Sequence, residues 1–117
     1  MSQYFQVGDQ VVWNPALGVG ELYARMAEAI APLVDVPTGV GPVVADEYQL
    51  DLPVFQTFVE SLIQRFEKAT HSELRGMTGG FIATSVVMLE RSGVQVAPLT
   101  DDHLIALRAI AGRKMAT

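Results

Sequence analysis

The sequence predicts an α+β fold in which a small antiparallel sheet, an N-terminal β-hairpin plus a short third strand, packs against about four helices. The helix near residues 71–92 is expected at the centre. Three observations lead there. Two β-prone runs close to the N-terminus are separated by Gly8-Asp9, a wide apolar stripe at helical spacing runs from Phe55 to Phe66, and Phe81 to Leu89 is uncharged on every side. A chain of 117 residues suits one domain, residues 1–117, burying about two-thirds of the surface that its unfolded form exposes.

Tyr4-Phe5-Gln6-Val7 and Gln10-Val11-Val12-Trp13 are the two β-prone runs. Glycine at the first central position supplies the positive φ of a type II′ turn between them. Asn14-Pro15 ends the second run, with Asn14 placed to cap a helix after it. Val19, Leu22, Tyr23, Met26 and Ile30 then recur at steps of three and four, which predicts a helix with these residues inward. Glu21, Arg25 and Glu28 fall on its other side, and Glu21 is spaced from Arg25 for an ion pair. Pro32 limits that helix. Val34 to Pro42 carries Pro37, Gly39, Gly41 and Pro42, a density of backbone punctuation that reads as a structured apolar loop. Tyr48 and Leu50 alternate with Glu47, Gln49 and Asp51, the pattern of the short third strand.

Asp51 caps the next predicted helix, whose stripe is Phe55, Phe58, Val59, Leu62, Ile63 and Phe66 opposite Glu60, Gln64 and Glu67. Thr70-His71-Ser72-Glu73 has the spacing of a capping box and opens the central helix, which Gly93 is placed to close. After Val94-Gln95-Val96, a strand or an extended connector, Thr100 is the expected N-cap of a last helix. Asp101 and Asp102 stand in its first turn, Leu104, Leu107 and Ala111 on its apolar side, and Gly112, Arg113 and Lys114 at its end. No repeat or linker interrupts the chain.

Composition narrows the function. Hydrophobic residues make up 50% and charged residues 18%, so apolar surface is expected to exceed what one chain can coat. That favours a homodimer, a bound partner or a lined cavity. The net charge is -5, divided as -7 over residues 1–60, where Arg25 is the only basic residue, and +2 over residues 61–117. Such a field repels phosphate, so neither nucleic acid nor an anionic membrane is an expected partner. The longest charge-free run, Gly76 to Leu89, is too short to span a bilayer. The chain has no cysteine, and its first residues have neither a basic region nor an apolar signal stretch, so a cytoplasmic protein is expected.

None of the strong catalytic or nucleotide-binding signatures occurs, and no catalytic residue, cofactor or metal site is assigned. His71 and His103 are the only histidines. His71 falls in the capping box. His103 follows two aspartates, yet consecutive residues fan around a helix instead of converging on one ion. Gly76, Gly80 and Thr84 form a smooth helix face that reads first as a packing groove within the chain and second as a dimer contact. Trp13, the only tryptophan, reads first as a core anchor and second as a contact residue.

The blocks Tyr4-Phe5, Val7-Gly8-Asp9, Trp13 with Pro15, Leu22 to Glu28, Pro37 with Gly39 and Gly41-Pro42, and Asp46-Glu47 together resemble a family of small uncharacterised actinobacterial proteins. The resemblance extends over most of the chain. It implies a bacterial, cytoplasmic setting and, since that family carries no assigned activity, it transfers no catalytic residue.

The function that needs no missing chemistry is a non-enzymatic one: an accessory, regulatory or immunity-like protein that holds a basic protein partner against its acidic N-terminal half. Asp9, Glu21, Glu28, Asp35, Asp46 and Glu47 would supply the field, with Trp13 or Val40 as apolar anchors. One alternative is a small-molecule binder or enzyme, with a pocket between the hairpin, the Pro/Gly loop and the central helix where Tyr48, Thr84 and Ser85 place hydroxyls. A structural homodimer is the other.

Overall fold

The computed structural model describes residues 1–117. The elements run β1 (Tyr4–Val7), β2 (Gln10–Trp13), α1 (Leu17–Ile30), a short 3-10 turn (Ala31–Leu33), β3 (Val40–Val44), β4 (Glu47–Leu50), α2 (Leu52–Lys68), α3 (Ser72–Arg91) and α4 (Asp102–Lys114). The predicted α+β class and its four helices are all present. The sheet is larger than expected, with four strands in the order β2-β1-β4-β3. It is also mixed: β1 pairs antiparallel with β2 but parallel with β4, and β3 pairs antiparallel with β4. The predicted third strand is β4, and α1 lies in the long connection that carries the chain from the hairpin to the far edge of the sheet.

The additional strand, β3, corrects the expectation of a loop from Val34 to Pro42. Its pairing runs from Val40 opposite Leu50 to Val43 opposite Tyr48, so one extra residue is accommodated as a bulge at Gly41-Pro42. On an edge strand, at a bulge, the missing N–H of proline removes no ladder bond. Pro/Gly density therefore failed to exclude a strand here. Gly39, just before it, has φ of +76°, and a Cβ there would stand 2.4 Å from the backbone nitrogen of Phe55. Only glycine lets the chain pass so close to the start of α2.

A single core of 21 buried residues joins β1, β2 and β4 to all four helices. Its heart is a run of aromatic rings. Phe5 stacks on Tyr48 (4.5 Å between centroids) and on Trp13 (5.2 Å), Tyr23 meets Phe5 edge-on and stacks on Phe81 (4.6 Å), and Phe81 meets Phe58 edge-on. The α2 stripe is buried at every predicted position, and α3 is covered from Phe81 to Leu89 except at Thr84. At the N-terminal end of α3, Arg75 donates to the carbonyl of Phe66, lies over the Phe66 ring and pairs with Asp101. One guanidinium thereby joins α2, α3 and the start of α4.

In α1 the predicted stripe is rotated. Gly20, Tyr23, Ala27 and Ile30 face inward, while Val19 and Leu22 are 48% and 58% exposed. Small residues decide the orientation: a Cβ at Gly20 would meet the side chain of Gln3 at 2.8 Å, so the helix sits close against the segment before β1.

The caps divide in the same way. Asp51 caps α2 by accepting from the amide of Val54, as expected, and Gly93 closes α3, with its amide on the carbonyl of Glu90 and that of Val94 on Leu89. Asn14 does not cap α1, which starts after Ala16 without a side-chain cap, and Thr70 does not cap α3, whose N-cap position is His71. At α4 the cap is Asp101, not Thr100, whose hydroxyl donates to Glu67 instead. Val94-Gln95-Val96 is a connector, and Gly112 lies inside α4. Finally, Gly76 and Gly80 are exposed with open space above them, so the smooth face does not pack within the chain. The close approach belongs to Gly79, where a Cβ would meet Leu107 at 2.8 Å.

Candidate functional site

A depression of about 650 Å³ forms a groove between α1 and the outer strand β3. Helical spacing builds one wall: Glu21, Ala24, Arg25 and Glu28 are related by steps of three, four and seven and share a face. Val40, Pro42 and Val43 from β3, with Tyr48 from β4, make the apolar opposite wall. Val43 and Tyr48 are directly paired, so they project on the same side of the sheet, toward α1.

Charge in this groove is unneutralised. Glu21 and Arg25 do not form the ion pair that their spacing allows, and neither Glu21 nor Glu28 has a basic side chain within the 4.0 Å of a salt bridge. Two carboxylates face one guanidinium. The Tyr48 phenol registers this: burial first, and then the Glu21 carboxylate, push its pKa above the ordinary value.

The two edges of the sheet differ. At β2, the Arg91 guanidinium donates to the carbonyl of Val12 (3.0 Å), and the backbone amide of Asn14 donates to the carbonyl of Ala116 (2.8 Å), so the C-terminal segment covers that edge. At β3, the hydroxyl of Thr38 accepts from the amide of Val40, and the bulge disrupts the middle. Beyond the bulge the edge is open. The β3–β4 connection is a two-residue turn, Ala45-Asp46, both at positive φ, closing on the pair Val44 and Glu47. In such a hairpin the closing pair is hydrogen-bonded and the next pair is not, which points the N–H and C=O of Val43 away from the sheet. Val43 and Val44 are 45% and 67% exposed.

Of the eight residues predicted to meet a partner, three come together in this groove: Glu21, Glu28 and Val40. Asp46 and Glu47 stand at the far end of β3, where the Glu47 carboxylate accepts from Gln6. Asp9 lies in the β1–β2 turn, at the opposite end of the sheet from Asp46 because β1 and β4 are parallel. Asp35 follows the 3-10 turn, exposed and at φ 54°. Trp13 is 6% exposed and belongs to the ring cluster, so it is a core anchor and presents no contact surface. Sequence reasoning did not place Arg25 or Val43 at a binding site, and it placed Tyr48 only in the alternative small-molecule pocket. Val43 was hidden by the Pro/Gly run, although the alternation at Tyr48 and Leu50, one turn away, marked a strand that needed a partner.

The pocket foreseen between hairpin, Pro/Gly loop and central helix is filled by the aromatic cluster, and its hydroxyls do not converge. Ser85 is fully buried between Tyr23 and the carbonyl of Phe81, Thr84 donates backward to Gly80 from the outer side of α3, and Tyr48 belongs to the groove. Asp101 is turned to Arg75 and to the amide of Leu104. A second depression, about 490 Å³, lies among Arg91, Arg108 and Arg113 at the ends of α3 and α4. Its arginines serve the fold: Arg91 holds the carbonyls of Val12 and Met115, Arg108 pairs with Glu90, and Arg113 offsets the negative end of α4.

Fold and site together define a small α+β protein with one core, one covered and one open sheet edge, and an acidic groove beside the open edge. Over residues 1–117 the chain matches the model of DUF6086, a family of unknown function, and it belongs to that family. No curated protein and no solved structure matches it.

Proposed function

We propose that the protein is a non-enzymatic binding partner, an accessory or regulatory factor acting in the cytoplasm, that holds a basic segment of another protein in the groove between α1 and β3. The observation that carries this is the pair of carboxylates, Glu21 and Glu28, neither in a salt bridge and together outnumbering the single guanidinium of Arg25, over an apolar floor. Lysine or arginine side chains would neutralise the carboxylates while their alkyl stems cover Val40, Pro42 and Val43. The surrounding half of the chain, at -7, would steer a basic partner toward the groove from a distance. No helix of the protein is long and apolar enough to cross a membrane, which agrees with an encounter between proteins away from the bilayer.

The test compares the wild-type protein with Glu21→Lys/Glu28→Lys as baits in extracts of the native host at low salt. Both positions are exposed, so the fold should tolerate the change. A partner recovered by the wild type and lost both from the variant and at high salt is the expected result. A partner held equally by both baits would place binding elsewhere.

A further inference from the structure

We infer that the basic segment binds as an added strand, its main chain pairing with the outward N–H and C=O of Val43 while alternate side chains enter the groove. This rests on the function proposed above and specifies its mode. Three features of the β3 edge converge on it. The edge is open only past the bulge, since Thr38 already satisfies the amide of Val40 and Pro42 has none to offer. The open stretch carries no charged gatekeeper: Val43 and Val44 are exposed, and a free apolar edge of this kind is a template for another strand. The open backbone groups also border the groove. A residue placed opposite Val43 would point its side chain to the same side as Val43, toward the face of α1 that holds Glu21 and Glu28.

Spacing then specifies the segment. Glu21 and Glu28 lie seven residues apart on one helix, about 10 Å along its axis, and side chains on one side of an added strand recur about every 7 Å. Lysine or arginine at alternate positions, i and i+2 or i and i+4, would meet both carboxylates. The same charges disfavour a second copy of this chain as the occupant. Pairing β3 with another β3 would bring together two acidic halves, each at -7. The occupant is therefore an extended, basic segment of a different protein with a period of two.

The experiment selects a displayed library of random octapeptides on the immobilised full chain at low salt, then measures the enriched peptides by fluorescence anisotropy. Basic residues at alternate positions should be enriched. Methylating the backbone nitrogens that face β3 in the best peptide should weaken it about tenfold or more. Val43→Pro should do the same, since proline at an outward-facing edge position removes the donor without breaking a ladder bond. Enriched basic peptides with no alternation, indifferent to methylation and to Val43→Pro, would overturn strand addition and leave the basic-partner function standing. Enrichment of acidic or uncharged peptides, or of none, would overturn both. So would light scattering that shows a wild-type dimer dissolved by Val43→Pro, since the edge would then belong to a second copy.

Discussion

Ser85 and Tyr23 show how one buried hydroxyl pair constrains both partners. Ser85 donates to the carbonyl of Phe81, so the Tyr23 hydroxyl, 2.6 Å away, is the donor between them. Tyr23→Phe removes one hydrogen bond and leaves Ser85 still bonded, an expected loss of about 1 kcal/mol. Ser85→Ala strands the tyrosine hydroxyl in the core without an acceptor and should cost more, roughly 1–3 kcal/mol. Urea unfolding of the two variants checks the order, and a larger loss for Tyr23→Phe would contradict it. Burial also raises the Tyr23 pKa well above the ordinary phenol value, an effect that its bond to Ser85 only partly opposes. Stability from the neutral phenol is thus present below about pH 10 and is lost as pH rises past it; in Tyr23→Phe that alkaline loss should flatten. Asp101 works in the opposite sense. Its hydrogen bond to Arg75, and then the amide of Leu104, hold its carboxyl below the ordinary value. Its contribution is present above about pH 4 and disappears as pH falls through the lowered value, a loss that Asp101→Asn should remove from the acid limb of the unfolding profile.

Among the elements, α3 tests the packing most plainly. Gly80→Ala fills open space at an exposed position of α3 and should stabilise the protein by about 0.5–1 kcal/mol. At Gly79 the same change must displace Leu107 and press on Phe66, so Gly79→Ala should gain less or lose stability, which thermal unfolding of the pair would show. Much of this level was legible in advance. The six-residue stripe of α2 and the uncharged middle of α3 are dominated by large side chains whose spacing states which way they face. The α1 stripe misled because Gly20 and Ala27, which a stripe of large apolar residues passes over, decide how close the helix lies, and Val19 and Leu22 are turned outward as a result. The caps at Thr70 and Thr100 failed for a related reason. Each has the right residue at the right spacing, but the neighbouring His71 and Asp101 occupy the N-cap position, and only Asp101 accepts a backbone amide there. The β3–β4 turn, finally, holds Ala45 at φ 52°, where an alanine is strained by about 1–2 kcal/mol. Ala45→Gly should therefore raise the melting temperature despite the flexibility it adds to the unfolded chain.

At the scale of the whole molecule, the sequence announced an acidic first half but not its geometry. Asp9, Asp35 and Asp46 are scattered over different turns, and only Glu21 and Glu28 share a cavity with apolar walls. The groove escaped the sequence because it needs β3 beside α1, and Gly41-Pro42 disguised β3. The opposite flank is occupied by structural work: Arg91 and the C-terminal residues seal the β2 edge, and Arg108 pairs with Glu90. The most direct measurement of the groove's role is a two-dimensional amide NMR titration of the full-length protein with the best basic octapeptide from the library. Binding in the groove predicts that the amides from Glu21 to Glu28 and from Val40 to Glu47 shift together and saturate together, with the shifts suppressed at high salt. Shifts centred instead on Gly76 to Gly80 or on Arg108 to Arg113, with α1 and β3 unmoved, would contradict it.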